Sequence, residues 1–181
     1  MNGAGLLPGA GCCPTTPFRR AAAAWSRRRL RPEGVASIVF SALTVVEDEP
    51  GFQRIAFDIE LDEAPAALCN RAQIQQVTAI LLRSAIAAAG TQTFPKVTIR
   101  IHSLVLLKEP GASFVEVVIR DNGGGISLEE RASLFETDCA GRGPGLTLAR
   151  QIIESQGGAI ACELEDWGRS SIRFSLPRAA A

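Results

Sequence analysis

The chain has 181 residues and a mass of 19.2 kDa. That corresponds to about one domain at roughly 150 residues each, able to bury roughly 70% of its unfolded surface without metal or disulfide staples. Hydrophobic residues make up 46% and charged residues 21%, a globular composition that excludes a wholly disordered chain. Lysine plus arginine and aspartate plus glutamate each number 19, for a formal charge of zero, which excludes a nucleic-acid binder with a basic face over the whole chain.

The charges are unevenly placed. Residues 1–32 hold Arg19, Arg20, Arg27, Arg28, Arg29 and Arg31 and no acid, so the body that follows is mildly acidic. This leader mixes Gly, Pro, Ala and Arg without a period that could bury a face. The reading is a disordered basic leader over 1–33, with weak helix around Ala21–Arg29, ahead of a domain over 34–178. Three roles remain open for the leader. It is a solvated tail or a start placed too far upstream, an Arg-rich organellar transit peptide, or a twin-arginine export signal at Ser26-Arg27-Arg28. Pro32 and Glu33, and the lack of a cleavage site, weigh against the third. The expected location is cytoplasmic, or an organelle if the leader is a transit peptide.

Five cysteines form no framework. Cys12 and Cys13 are adjacent, Cys69, Cys139 and Cys162 are scattered, and no C-x-x-C pair occurs. With His102 the sole histidine, a structural zinc site is excluded, and the odd cysteine count fits a reducing compartment. The longest apolar run, Val35 to Val46, is too short to span a bilayer.

That run reads as a short buried helix stopped by Glu49-Pro50-Gly51. Ile55, Phe57, Ile59 and Leu61 then alternate with polar or small residues, the period of a half-buried strand, which Ala64-Pro65 ends. Asn70 is the N-cap expected for a helix whose apolar face is Ile74, Val77, Leu81 and Ala85, running to Gly90. Val97–Leu106 and Phe114–Arg120 read as a hairpin around Glu109-Pro110-Gly111, with His102 an exposed or edge residue. A short helix near Ser127–Phe135 and a longer one over Leu146–Gln156 follow, the second stopped by Gly157-Gly158. Strands Ala159–Leu164 and Ser171–Leu176 close the chain. The predicted fold is an α/β (α+β) two-layer sandwich, a mostly antiparallel mixed sheet with helices on one face.

Two glycine clusters stand out. Asp121-Asn122-Gly123-Gly124-Gly125 follows a strand and fits D-x-G-x-G; Gly141-Arg142-Gly143-Pro144-Gly145-Leu146 opens a helix and fits G-x-G-x-G-L. A carboxylate followed by glycines suits a purine, because the acid accepts from an exocyclic amine while Gly123 and Gly125 let the backbone approach. The second cluster leads into a helix N-terminus, where free N–H groups favour anions. A Rossmann reading fails, since no strand immediately precedes the second cluster. A turn or linker that merely needs flexible residues is the plainer alternative for either cluster.

In this order, with Leu134-Phe135-Glu136 between them and Gln156-Gly157-Gly158 after, the clusters resemble the ATP-binding domain of sensor histidine kinases, within the gyrase, Hsp90 and MutL ATPase superfamily. The similarity covers roughly Val35 to Pro177. It implies a protein-kinase-like module binding ATP or ADP, with Asp121 reading the adenine amino group. It places Gly141, Arg142, Gly143, Gly145 and Leu146 at the triphosphate, with Thr147 and Ser170 as hydroxyl contacts nearby.

The sequence departs from that family in three places. The motif Q-V-x-x-N-L-L-x-N-A reads Gln76-Val77-Thr78-Ala79-Ile80-Leu81-Leu82-Arg83-Ser84-Ala85, so Ile80 and Ser84 replace both asparagines. Ser84 stands where the family holds magnesium, and a hydroxyl is the poorer oxygen donor. Leu81 stands where hydrolysing relatives carry a base, so no catalytic residue is assigned. The lid between Phe135 and Gly141 lacks its usual lysine, leaving Arg142 or Arg83 to meet the phosphates unless each is simply a solvated arginine. Nor can residues 1–34 form the dimerising hairpin that carries a phosphorylated histidine. These departures imply nucleotide binding with weak magnesium dependence and little turnover, by a domain acting on or signalling to a separate protein in trans. The alternatives are a non-catalytic interaction domain and a stand-alone anti-sigma-type kinase.

Overall fold

The computed structural model describes residues 30–61, 65–105, 113–136, 145–164 and 169–179. Strand β1 (Arg31–Gly34) leads directly into helix α1 (Val35–Val46). Strands β2 (Ala56–Leu61) and β3 (Ala66–Cys69) precede the long helix α2 (Arg71–Ala89). Strands β4 (Lys96–Val105) and β5 (Ser113–Asp121) follow, then helices α3 (Leu128–Ser133) and α4 (Gly145–Ser155), and finally β6 (Ala159–Leu164) and β7 (Ser170–Pro177). Five strands form one sheet in the order β2-β4-β5-β7-β6, with β2 parallel to β4 and the other neighbours antiparallel. The expected two-layer α/β architecture is present.

Alternation decides which face of the sheet is covered. Val97, Ile99 and Ile101 of β4, Val115, Val117 and Ile119 of β5, and Ile172, Phe174 and Leu176 of β7 are all buried. Against them pack Ile74, Val77, Leu81 and Ala85 of α2 and Leu146, Ala149 and Ile153 of α4, at helical spacing. The opposite sheet face is polar. There Glu116 is buried at 7% exposure, with His102 Nε2 3.2 Å from one carboxylate oxygen and Arg173, also paired with Glu163, 3.9 Å from the other. His102 is therefore not an exposed or edge residue. It sits half-buried on β4, between β2 and β5, because the register sets it opposite Glu116.

Local signals explain most element ends. Asn70 caps α2 by accepting the Gln73 N–H at 3.2 Å. Ser127 and Glu130 form a reciprocal capping box at α3. Helix α4 ends in a Schellman motif: Gly157 is left-handed at φ 82°, the Gly158 N–H donates to Ile153 O, and the Gly157 N–H donates to Glu154 O. Buried Gln156 ties the end of α4 to the start of α2. Its Oε1 accepts the Asn70 N–H and its Nε2 donates to Gln73 Oε1.

Two expectations change. Helix α1 is not buried all round, because Phe40 and Val45 lie on its outer side while Val35, Ile38, Val39, Ala42 and Val46 face inward. A strand also lies upstream of Gly34, where no element was expected, since Arg31–Gly34 pairs antiparallel with β3 from Arg31↔Cys69 to Gly34↔Ala66. Arg-Pro-Glu-Gly has no period of its own; pairing with β3 makes it a strand. Residues 1–29 lie outside the described residues. Among the described residues no helix is long and apolar enough to cross a membrane.

That small sheet buries Cys69. Burial, aided by the nearby Glu33 charge and opposed by Arg71, pushes its thiol from 9.0 to about 11. A raised folded value means stability is complete below the unfolded value and is lost as pH rises. Between pH 9 and about 11, folding should therefore lose about 2–3 kcal/mol. The chain has no tyrosine to confuse the titration. Urea midpoints at pH 8.5 and 11 should fall less in Cys69→Ala than in the parent, and equal falls would refute the assignment.

Candidate functional site

Helix α2, the end of β5 and the start of β7 converge at one edge of the helical layer. Leu81, Ser84, Ala85 and Ala88 of α2 face Ile119 and Asp121 of β5, Gly125 and Ile126 of the following turn, and Ser170 and Ile172 of β7. The cavity they enclose is about 20 Å³, room for about one water molecule. A larger ligand group enters only by displacing side chains. Beside it, sharing Ser84 and Ala88 in its wall, lies an open cleft of about 500 Å³ lined by Ile80, Arg83, Ala87, Gly145 and Leu146.

Asp121 is the last residue of β5, half-buried at the mouth of the small cavity. One carboxylate oxygen accepts the Gly123 N–H at 2.8 Å, which folds the turn back beneath it. Gly123 itself serves packing. A Cβ there would stand 2.7 Å from the carbonyl oxygen of Ala88, so its missing side chain lets the turn sit on α2 and does not open space for a ligand. Gly125, at φ 74°, needs the left-handed region and does line the cavity.

The other predicted site residues divide. Ser84 borders both cavities. Ser170 is buried and lines the cavity with Asp121, not the cleft with Gly145 where a phosphate contact was expected. Gly145 and Leu146 open α4 on the cleft, while Thr147 lines neither cavity. Gly141, Arg142 and Gly143 lie outside the described residues. Sequence reasoning missed Asn122, which fastens the turn to the start of β4. Its Oδ1 accepts the Lys96 N–H at 2.8 Å and its Nδ2 donates to Phe94 O at 2.7 Å. Asn directly after a strand is a turn-former that bonds neighbouring backbone, and that signal was available in the sequence.

The described lining of the cleft does not fit a magnesium ion. Magnesium needs near-octahedral oxygen donors, yet among the described lining residues the side chains offer one hydroxyl, on Ser84, and no carboxylate or amide oxygen. Ile80 lies against α4, its Cγ2 3.1 Å from where a Gly145 Cβ would be, so hydrocarbon faces Gly145 there. Among the described residues no group of three or more His, Cys, Asp or Glu could hold a metal ion. Arg83 points its Nε at Glu49, 2.6 Å away.

A mixed sheet in the order β2-β4-β5-β7-β6, with a carboxylate-bearing turn set against one long helix, defines a two-layer ATPase-type domain. The chain belongs to the histidine kinase-, DNA gyrase B-, and HSP90-like ATPase family, whose model matches residues 69–180. It is 33% identical over 133 residues to the sensor protein FixL of Bradyrhizobium diazoefficiens, covering 70% of this chain and 25% of FixL. It thus spans about a quarter of that relative. Among solved structures, a mycobacterial sensor histidine kinase MprB superposes with a TM-score of 0.70 at 21% identity, over 83% of this chain and 100% of that one. Full-length ShkA in complex with AMPPNP superposes with a TM-score of 0.69 at 18% identity, over 84% of this chain and 32% of ShkA.

Proposed function

We propose that the chain is a nucleotide-binding domain of the sensor-kinase type that takes the adenine of ATP or ADP at Asp121 and extends the phosphates along the cleft beside α4. The observation that carries this is Asp121 itself, a carboxylate fixed by its own turn at the mouth of a cavity walled by Leu81, Ile119 and Ile126. A carboxylate accepts only, and the adenine amino group is a donor that matches it. Membership of the ATPase family and the AMPPNP-bound ShkA of the same fold support the reading.

The domain acts through a separate protein, either a phosphoacceptor or a regulator, and it binds without appreciable turnover. The specific support for the non-catalytic form is the helix face itself. Leu81 is buried and apolar, and Ile80 and Ser84 supply neither a base nor an amide oxygen. Calorimetric titration of the whole chain with ATP and with ADP tests the proposal, followed by an assay for released phosphate. Micromolar binding with no phosphate release is expected. Steady hydrolysis would replace the non-catalytic form with a working ATPase.

A further inference from the structure

The cleft beside α4 holds one formal charge among its described lining residues, and that charge is Arg83. Ser84 adds a hydroxyl; Ile80, Ala87, Ala88 and Leu146 present hydrocarbon, and Gly145 backbone. Because the cleft and the Asp121 cavity share Ser84 and Ala88, a ligand with its base in one has its other end in the other. Among the cleft's described lining residues, a chain of phosphates placed there meets no acid that could recruit a divalent cation for it. It does meet a guanidinium on the same helix, one residue before Ser84.

Arg83 is held, but not tightly. Its partner Glu49 lies just beyond α1, and both side chains are well exposed, at 46% and 33%. Exposed pairs of this kind contribute little, because water and salt screen them. A guanidinium fork matches two phosphate oxygens at once and is always charged, so exchanging one carboxylate for phosphate is a favourable trade. Ile80 against Gly145 works in the same direction. It presents hydrocarbon there and no oxygen donor, where a magnesium ion would need oxygen ligands.

We propose that Arg83, exchanging Glu49 for the ligand's phosphates, is the phosphate-specificity residue of this site, and that it does so without a divalent cation. The inference rests on the adenine-nucleotide reading above.

The test is a set of titrations of the full chain with adenosine, ADP and ATP in EDTA, repeated with magnesium, for the parent, Arg83→Gln and Glu49→Gln. In EDTA the parent should bind ATP at least tenfold more tightly than adenosine, with little change on adding magnesium. Arg83→Gln should lose most of that preference while keeping its adenosine affinity. Glu49→Gln should strengthen ATP binding several-fold by removing the competing carboxylate. An ATP-to-adenosine ratio unchanged in Arg83→Gln overturns the inference, as does a preference for ATP that appears only with magnesium; in both cases adenosine still binds and the adenine reading stands. Failure of adenosine, ADP and ATP alike would sink both.

Discussion

Asp121→Asn is expected to weaken ATP and ADP binding by about ten- to a hundred-fold, the equivalent of losing a charge-assisted hydrogen bond worth roughly 1.5–3 kcal/mol. The substitution is chosen because it changes little else. Asparagine keeps a carbonyl oxygen in the place of the carboxylate oxygen that accepts the Gly123 N–H, so the turn should persist. What it removes is the charge, and the new amide can turn a donor towards the adenine amino group, itself a donor. The cavity at Asp121 is about 20 Å³, so a base must push side chains aside to enter. That opening is common to parent and variant and cancels in the ratio of their affinities. Calorimetry should show the loss for both nucleotides, with a melting temperature within a few degrees of the parent. GTP provides the complementary measurement: held as adenine is, it would set its O6, an acceptor, against the carboxylate, so the parent should bind it more weakly than ATP. Equal affinity of parent and variant for ATP would sink the adenine assignment.

Much of this domain was legible because its signals are local. Val35–Val46, the Asn70 cap and the Gly157 stop come from periods and caps within a few residues of each other, and the structure has all of them. Strands β1 and β3 were not legible. Each is four residues long, and Arg-Pro-Glu-Gly carries no pattern; they exist because the chain brings them together. His102 was misread for the same reason, since its partner Glu116, fourteen residues away in sequence, cannot be seen in the alternation of its own strand.

At the site, residue types proved more readable than their placement. The carboxylate-and-glycine turn was recognisable, yet Gly123 serves the packing of the turn on Ala88, and Ser170 lines the cavity with Asp121, not the cleft. A motif says which residues recur together. Only the fold says whether a missing Cβ makes room for a ligand or for a helix.

Gly158→Ala shows how much that distinction matters. Gly158 stands between α4 and β6, and a Cβ built on it would collide with the carbonyl oxygen of Ser175 on β7 and lie 3.0 Å from the side chain of Ile153. A rotamer change relieves the second contact but not the first, which is backbone. To admit one methyl group, the start of β6 must lift away from β7, beginning at the Ala159–Ser175 pair. Overpacking of this kind costs about 3 kcal/mol, and at roughly 2–4 °C per kcal/mol in a domain of this size the melting temperature should fall by about 6–12 °C. Two neighbouring substitutions set the scale. At Gly157 the nearest atom, Pro177 Cγ, is at an ordinary 3.6 Å, but φ is 82°, so alanine there should cost about 1–2 kcal/mol from conformation alone. Gly124 has open space around it, and alanine should move stability by no more than about 0.5 kcal/mol. Thermal melts of the three alanine variants should therefore rank Gly158 lowest, Gly157 next and Gly124 beside the parent. A Gly158→Ala protein as stable as the Gly124 variant would mean that β6 does not sit against β7 in the register described.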